Sequence, residues 1–151
     1  MNTRDNKKSE WWMLLLAHHY EEDLDHCYKL TTKKRDFYLC ARCIGLYPAL
    51  FFTMILVFSG VFKISPERSY DLMAICCGLG IFEWGIVRLG FWEGKNFLRT
   101  ITGVIIGIGM GIGLPPYFQR PFSIGFWTVA GVLGGVVGLI EIVARFSDWE
   151  K

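Results

Sequence analysis

The sequence predicts an all-α polytopic membrane protein, four transmembrane helices with a cytoplasmic N-terminal Cys/His segment. Three observations carry that prediction. The chain is 52% hydrophobic and 16% aromatic. Its apolar residues come in long blocks rather than in the rhythm of a half-buried soluble helix. All three histidines and three of the five cysteines crowd into positions 18–43, ahead of the first block. The expected division is therefore a zinc-binding segment over 1–43 and a transmembrane bundle over 44–151.

The polar segment comes first. It shows no long apolar core followed by a cleavage site, so no secretory signal peptide is expected. The stretch from Trp11 to Ala17 is too short to span a bilayer. With Ser9 as a helix cap, its tryptophans and leucines either lie flat at the headgroup level or form a helix turn under the metal site.

The first span is expected over 44–62, nineteen residues without a charge. At about 1.5 Å per residue this crosses a hydrocarbon layer of about 30 Å. The second, over 70–92, carries Asp71 at its edge and Glu83 and Arg88 inside; the third, over 100–118, carries no charge; the fourth, over 122–146, has Glu141 and Arg145 near its end. Ser65-Pro66-Glu67-Arg68, Glu93-Gly94-Lys95-Asn96 and Gln119-Arg120-Pro121 supply turns between them. Four spans put both termini on one side. Lysines and arginines concentrate in the N-terminal segment, the second loop and the C-terminal end, against only Lys63, Arg68 and Arg120 in the other loops. Positive charge stays inside, so the expected location is the cell membrane with both termini cytoplasmic.

Packing signals are concentrated in the glycines. Gly103, Gly107 and Gly111 recur every four residues in the third span, as do Gly131 with Gly135 and Gly134 with Gly138 in the fourth. Small residues at that spacing let two backbones approach closely, which predicts that the third and fourth helices are neighbours; a glycine-lined conduit is the functional alternative. Leu114-Pro115-Pro116 is expected to end the third helix, because proline lacks an amide donor and disfavours helical geometry before it.

The chemistry sits in the Cys/His window. Cys40 and Cys43 have the C-x-x-C spacing that lets two thiolates grip one tetrahedral ion, and Cys27 with His19 completes a three-cysteine, one-histidine zinc set, with His18 or His26 as substitutes for His19. A cytosolic, reducing setting argues against a stable disulfide there. Two other readings stand beside zinc. One is a reactive thiol at Cys40 or Cys43, activated by Arg42 and the helix N-terminus; the other is ordinary side chains without a ligand. Haem attachment by C-x-x-C-H is excluded because Ile44 stands in the histidine's place. Cys76 and Cys77 read as small apolar side chains within the second span.

The run Cys40-Ala41-Arg42-Cys43-Ile44-Gly45-Leu46-Tyr47 resembles the C-A-R-C-x-G-x-Y signature of a family of small membrane proteins, domain of unknown function 2085. Glu93-Gly94-Lys95-Asn96-Phe97-Leu98-Arg99 with Thr102-Gly103 resembles a second stretch of the same family, Gly94 standing where serine is common. The matches and the span pattern cover residues 18–113. Where many members carry Asp-Gly and then Gln in the second helix, this chain has Glu83-Trp84 and Arg88. The resemblance implies a membrane fold and brings no activity with it.

A carboxylate inside a span is costly unless paired, protonated or facing water, so Glu83 and Glu141 are functional candidates. Glu141 and Arg145 are one turn apart and able to pair, whereas Glu83 and Arg88 are five apart and need partners on other helices. The expected topology gathers Glu83, Arg88, Arg99, Glu141 and Arg145 beneath the Cys/His segment, where they either pair with one another to lock the bundle and snorkel to the interface or line a cytosol-facing polar pocket. Two functions fit. The first is a non-catalytic membrane protein whose structural zinc organises a surface for membrane lipid, a protein partner or a second copy of the chain, with Arg42, Arg88, Arg99 and Arg145 holding an anionic headgroup. The second is a metal-dependent intramembrane enzyme acting on a lipid-linked or phosphorylated substrate, with Glu83 or Glu141 as base. An ion or proton-coupled transporter is a weaker third. A formal net charge of only +2, with acidic residues beside Lys33-Lys34-Arg35, speaks against nucleic acid.

Overall fold

The computed structural model describes residues 26–32 and 35–149. A hairpin of two antiparallel strands, β1 (Cys27–Thr32) and β2 (Arg35–Cys40), leads straight into four helices: α1 (Ala41–Phe58), α2 (Pro66–Arg88), α3 (Asn96–Gln119) and α4 (Ile124–Trp149). All four are long and apolar enough to cross a membrane. Their outer surface is apolar: Phe52, Ile55, Phe82 and Leu139 are each more than half exposed. In water such a surface would drive aggregation; in hydrocarbon it is the solvated face.

The helices end where backbone chemistry ends them, and this shifts the expected spans. Pro66 opens α2 at its first helical position, where its missing N–H costs nothing. Gly90, at φ +78°, closes it: the Phe91 amide donates to the Ile86 carbonyl and the Gly90 amide to the Val87 carbonyl, the paired bonds of a Schellman cap. The first two helices thus start and stop three to four residues before the expected spans. Absence of charge marks the hydrocarbon layer, whereas caps mark the helix.

α3 is the centre of the bundle. Its most extensive interface is with α1, followed by that with α2, while α4 packs along α2. A Cβ on Gly103 would overlap the Arg42 carbonyl oxygen, and one on Gly107 the Leu46 carbonyl oxygen, so these positions bring two backbones together as lipid-facing side chains cannot. The expected pairing of α3 with α4 is therefore overturned. The glycine stripe of α3 faces α1, and α3 meets α4 through an aromatic group near the α3 C-terminus, where Tyr117 stacks on Phe126 with ring centroids 4.2 Å apart.

The prolines also behave differently from expectation. α3 continues through Pro115 and Pro116 to Gln119. Pro115 is fully buried, and the Tyr117 stack beyond it holds the last turn in helical geometry. Tertiary packing here outweighs the local preference against helix before proline.

The hairpin was not foreseen. Tyr28, Leu30, Phe37 and Leu39 alternate with polar residues at the period of two that favours strands, and the register pairs Cys27 with Cys40, Tyr28 with Leu39 and Thr32 with Arg35. His18, His19, Lys33, Lys34 and the stretch from Trp11 to Ala17 lie outside the described residues.

Candidate functional site

The hairpin brings the three expected thiols together. Cys27 and Cys40 face each other across the ladder and are both buried. Cys43, in the first turn of α1, packs against them with Tyr38. All five cysteines of the chain are free thiols. Burial pushes the Cys27 thiol up from its ordinary pKa, the adjacent Cys40 adds to that, and the Arg99 guanidinium partly offsets it; this is the opposite of an activated nucleophile. Among the described residues no group of three or more His, Cys, Asp or Glu side chains is disposed to hold a metal ion. His19, the expected fourth ligand, lies outside them.

Hydrogen bonds and an ion pair tie the hairpin and the start of α1 to the other helices. The Tyr28 hydroxyl and Thr100 Oγ1 of α3 are 3.1 Å apart, and Thr100 Oγ1 lies 3.0 Å from the Ala41 carbonyl. Arg42, two residues past the hairpin, forms an ion pair with Glu83 of α2. Glu83 keeps only 10% of its side chain exposed and also lies 3.4 Å from Thr102 Oγ1 of α3. One buried carboxylate therefore ties α1, α2 and α3 together. Removing either member of such a pair leaves a charge in a low-dielectric place, at a cost of about 3–5 kcal/mol. Glu83 Oε1 and Arg42 Nε are buried with no hydrogen-bond partner among the described residues.

A second cluster links α2 and α4. Arg88 grips Glu141 with two bonds, Nε to Oε2 at 3.0 Å and Nη2 to Oε1 at 3.1 Å. Arg145 adds a third to Oε1 at 3.3 Å, one turn along α4. This cluster is wetter than the first, with Glu141 33% and Arg145 75% exposed. Both glutamates thus find partners on other helices. Arg99 is buried at 7% exposure in the first turn of α3, where its guanidinium reaches the Glu93 carbonyl at 3.5 Å.

Between these clusters opens a pocket of about 550 Å³, lined by His26, Cys40, Cys43, Arg42, Arg88 and Arg99, with Trp84 and Val87 as apolar wall. Glu141 and Arg145 stand next to it through Arg88. Glu83 offsets the charge of Arg42 and Glu141 that of Arg88, so the excess positive charge beside the pocket comes from Arg99 and, through the Glu141 cluster, Arg145. The planar fork of arginine suits phosphate and carboxylate groups. Tyr28, Thr100 and Trp84 escaped the sequence reading. Nothing in their spacing sets them apart, since their role comes from contacts between elements far apart in the chain.

These features define a class: a multi-pass membrane protein of four helices, capped at one end by a thiol-bearing hairpin over an arginine-lined pocket. The chain belongs to the family of predicted membrane proteins called DUF2085, which matches residues 26–112. That range takes in the hairpin, α1, α2 and most of α3, and stops before α4. No curated protein and no solved structure matches the chain.

Proposed function

We propose that the protein is a non-catalytic membrane protein that binds an anionic, phosphate-bearing lipid headgroup in the arginine pocket, beneath a hairpin clamped by a structural zinc ion. The observation that carries the proposal is the convergence of Arg42, Arg88 and Arg99 on one pocket at the hairpin end of the bundle. Zinc is the reading that best uses Cys27, Cys40 and Cys43, which the fold packs side by side, with His19 as fourth ligand. A closed four-ligand site would hold the short hairpin rigid above the pocket. In this reading the cell membrane is the location and the hairpin faces the cytoplasm, where anionic lipid is available.

The enzyme alternative draws less support. Glu141 has both oxygens engaged by arginines, and Glu83 is held by Arg42, so both carboxylates act as ties between helices. A transport pathway needs a polar route through the bundle, and the glycines that suggested one on α3 are packed against α1.

The test is lipid retention by the full chain in detergent, read by native mass spectrometry with phosphatidylglycerol and phosphatidylcholine offered together. The expected result is selective retention of phosphatidylglycerol, weakened about tenfold in Arg99→Gln for loss of a charge-assisted contact. Equal retention of the two lipids would refute the assignment.

A further inference from the structure

The other end of the bundle carries a second cleft, of about 710 Å³, whose charges are of both signs. Glu67 and Asp71 lie one turn apart on α2 and line one wall. Arg120, in the connection from α3 to α4, lines the same cleft, with Gln119, Ser123 and Thr128 as neutral hydrogen-bonding groups. Glu67, Asp71 and Arg120 are all exposed, and among the described residues none of their side chains makes an ion pair or hydrogen bond. Two carboxylates and a guanidinium that share a concavity without neutralising one another can instead be satisfied by a ligand carrying both charges.

The surroundings narrow that ligand. The cleft is built from the first turns of α2 and α4 and the last turn of α3, so in a bilayer it lies at the level of the headgroups. Its floor is ordered: Tyr70 is 5% exposed and edge-on to Phe126, and a side chain on Gly125 would press on the Tyr70 ring. Beside the charged groups, Phe118, Phe122 and Ile124 are strongly exposed apolar side chains, placed to meet acyl chains while the headgroup enters the cleft. An aromatic cage of the kind that selects quaternary ammonium is not what lines it. Two adjacent carboxylates suit the three donors of a primary ammonium instead, and Arg120 suits a phosphate.

We infer that this cleft binds a zwitterion bearing a primary ammonium and a phosphate, as in an ethanolamine headgroup. Glu67 and Asp71 receive the ammonium and Arg120 the phosphate. The site is independent of the arginine pocket and of zinc.

The experiment offers the detergent-purified full chain short-chain phosphatidylethanolamine, phosphatidylcholine and phosphatidylglycerol, with free phosphoethanolamine as a separate arm, and reads binding by native mass spectrometry and calorimetry. The expected result is preference for phosphatidylethanolamine over phosphatidylcholine. It falls about tenfold in Glu67→Gln/Asp71→Asn, which loses the ammonium contacts, and Arg120→Gln weakens both lipids alike. Binding of the lipid alone makes the bilayer the source, whereas equal binding of free phosphoethanolamine makes it a soluble zwitterion; either supports the site. Equal affinity of the wild-type chain for the ethanolamine and choline lipids would overturn it, and that comparison needs no variant to fold. Folded carboxylate variants with undiminished preference would overturn it too, leaving Glu67 and Arg120 as simple partners of the helix dipoles.

Discussion

The glycines of α3 and those of α4 share one sequence pattern and have opposite surroundings. On α3, Gly103, Gly107 and Gly111 are buried in the α1 interface. On α4, Gly131, Gly134, Gly135 and Gly138 have open space where a side chain would project, and the most apolar stretch of that helix has no buried residue, Ala144 near its end being the buried position. The pattern permits close approach and does not choose a partner. On the α1–α3 side the choice is made by groups outside the stripe: Gly45, which admits the Thr100 carbonyl, the bond from Thr100 to the Ala41 carbonyl, and Glu83 drawing in Arg42 and Thr102. On the α4 side, the ties are Ile140 against Gly85 and the Arg88–Glu141 bond.

Substitutions in the two regions should separate in the same order. Arg42→Leu leaves Glu83 charged and buried, with an expected loss of about 3–5 kcal/mol, readable by denaturant titration of the detergent-solubilised protein. Gly103→Val forces a side chain into the Arg42 backbone and should cost about 1–3 kcal/mol or more. Arg88→Gln acts on a pair about one-third exposed and leaves Arg145 on Glu141, and should cost at most about 1 kcal/mol. Gly135→Leu on the open face of α4 should stay within about 0.5 kcal/mol. A loss at Gly135 as large as that at Gly103 would break the distinction, and would mean that α4 is covered in the assembled protein.

The sequence conveys the four spans well because hydrocarbon excludes charge, a constraint read residue by residue from Ile44 to Phe62 or Thr100 to Phe118. It conveys less about where helices end, since Gly90 and Pro66 act through backbone geometry that hydropathy does not register. Partner choice was misread for α3 because Gly103 carries no label for the helix it meets. The prolines at 115 and 116 were misread because the stack of Tyr117 on Phe126 is a contact between separate helices. Of the site, the grouping of Cys27, Cys40 and Cys43 was readable from spacing, as was the need for Glu83 and Arg88 to find partners elsewhere. The hairpin's signal is the alternation of Tyr28, Leu30, Phe37 and Leu39, which metal-ligand spacing in the same segment does not convey. The cleft at Glu67, Asp71 and Arg120 draws on both sides of the α3–α4 connection and has no motif to announce it.

The proposed zinc ion, with Cys27, Cys40, Cys43 and His19 as its ligands, would fix the hairpin over the arginine pocket. Metal content of the detergent-purified protein, measured by mass spectrometry beside Cys40→Ser and Cys43→Ser, tests it most directly. The account predicts about one zinc per chain in the wild type, lost in both variants. Freshly reduced protein that is free of zinc, with all three thiols open to alkylation, would contradict it.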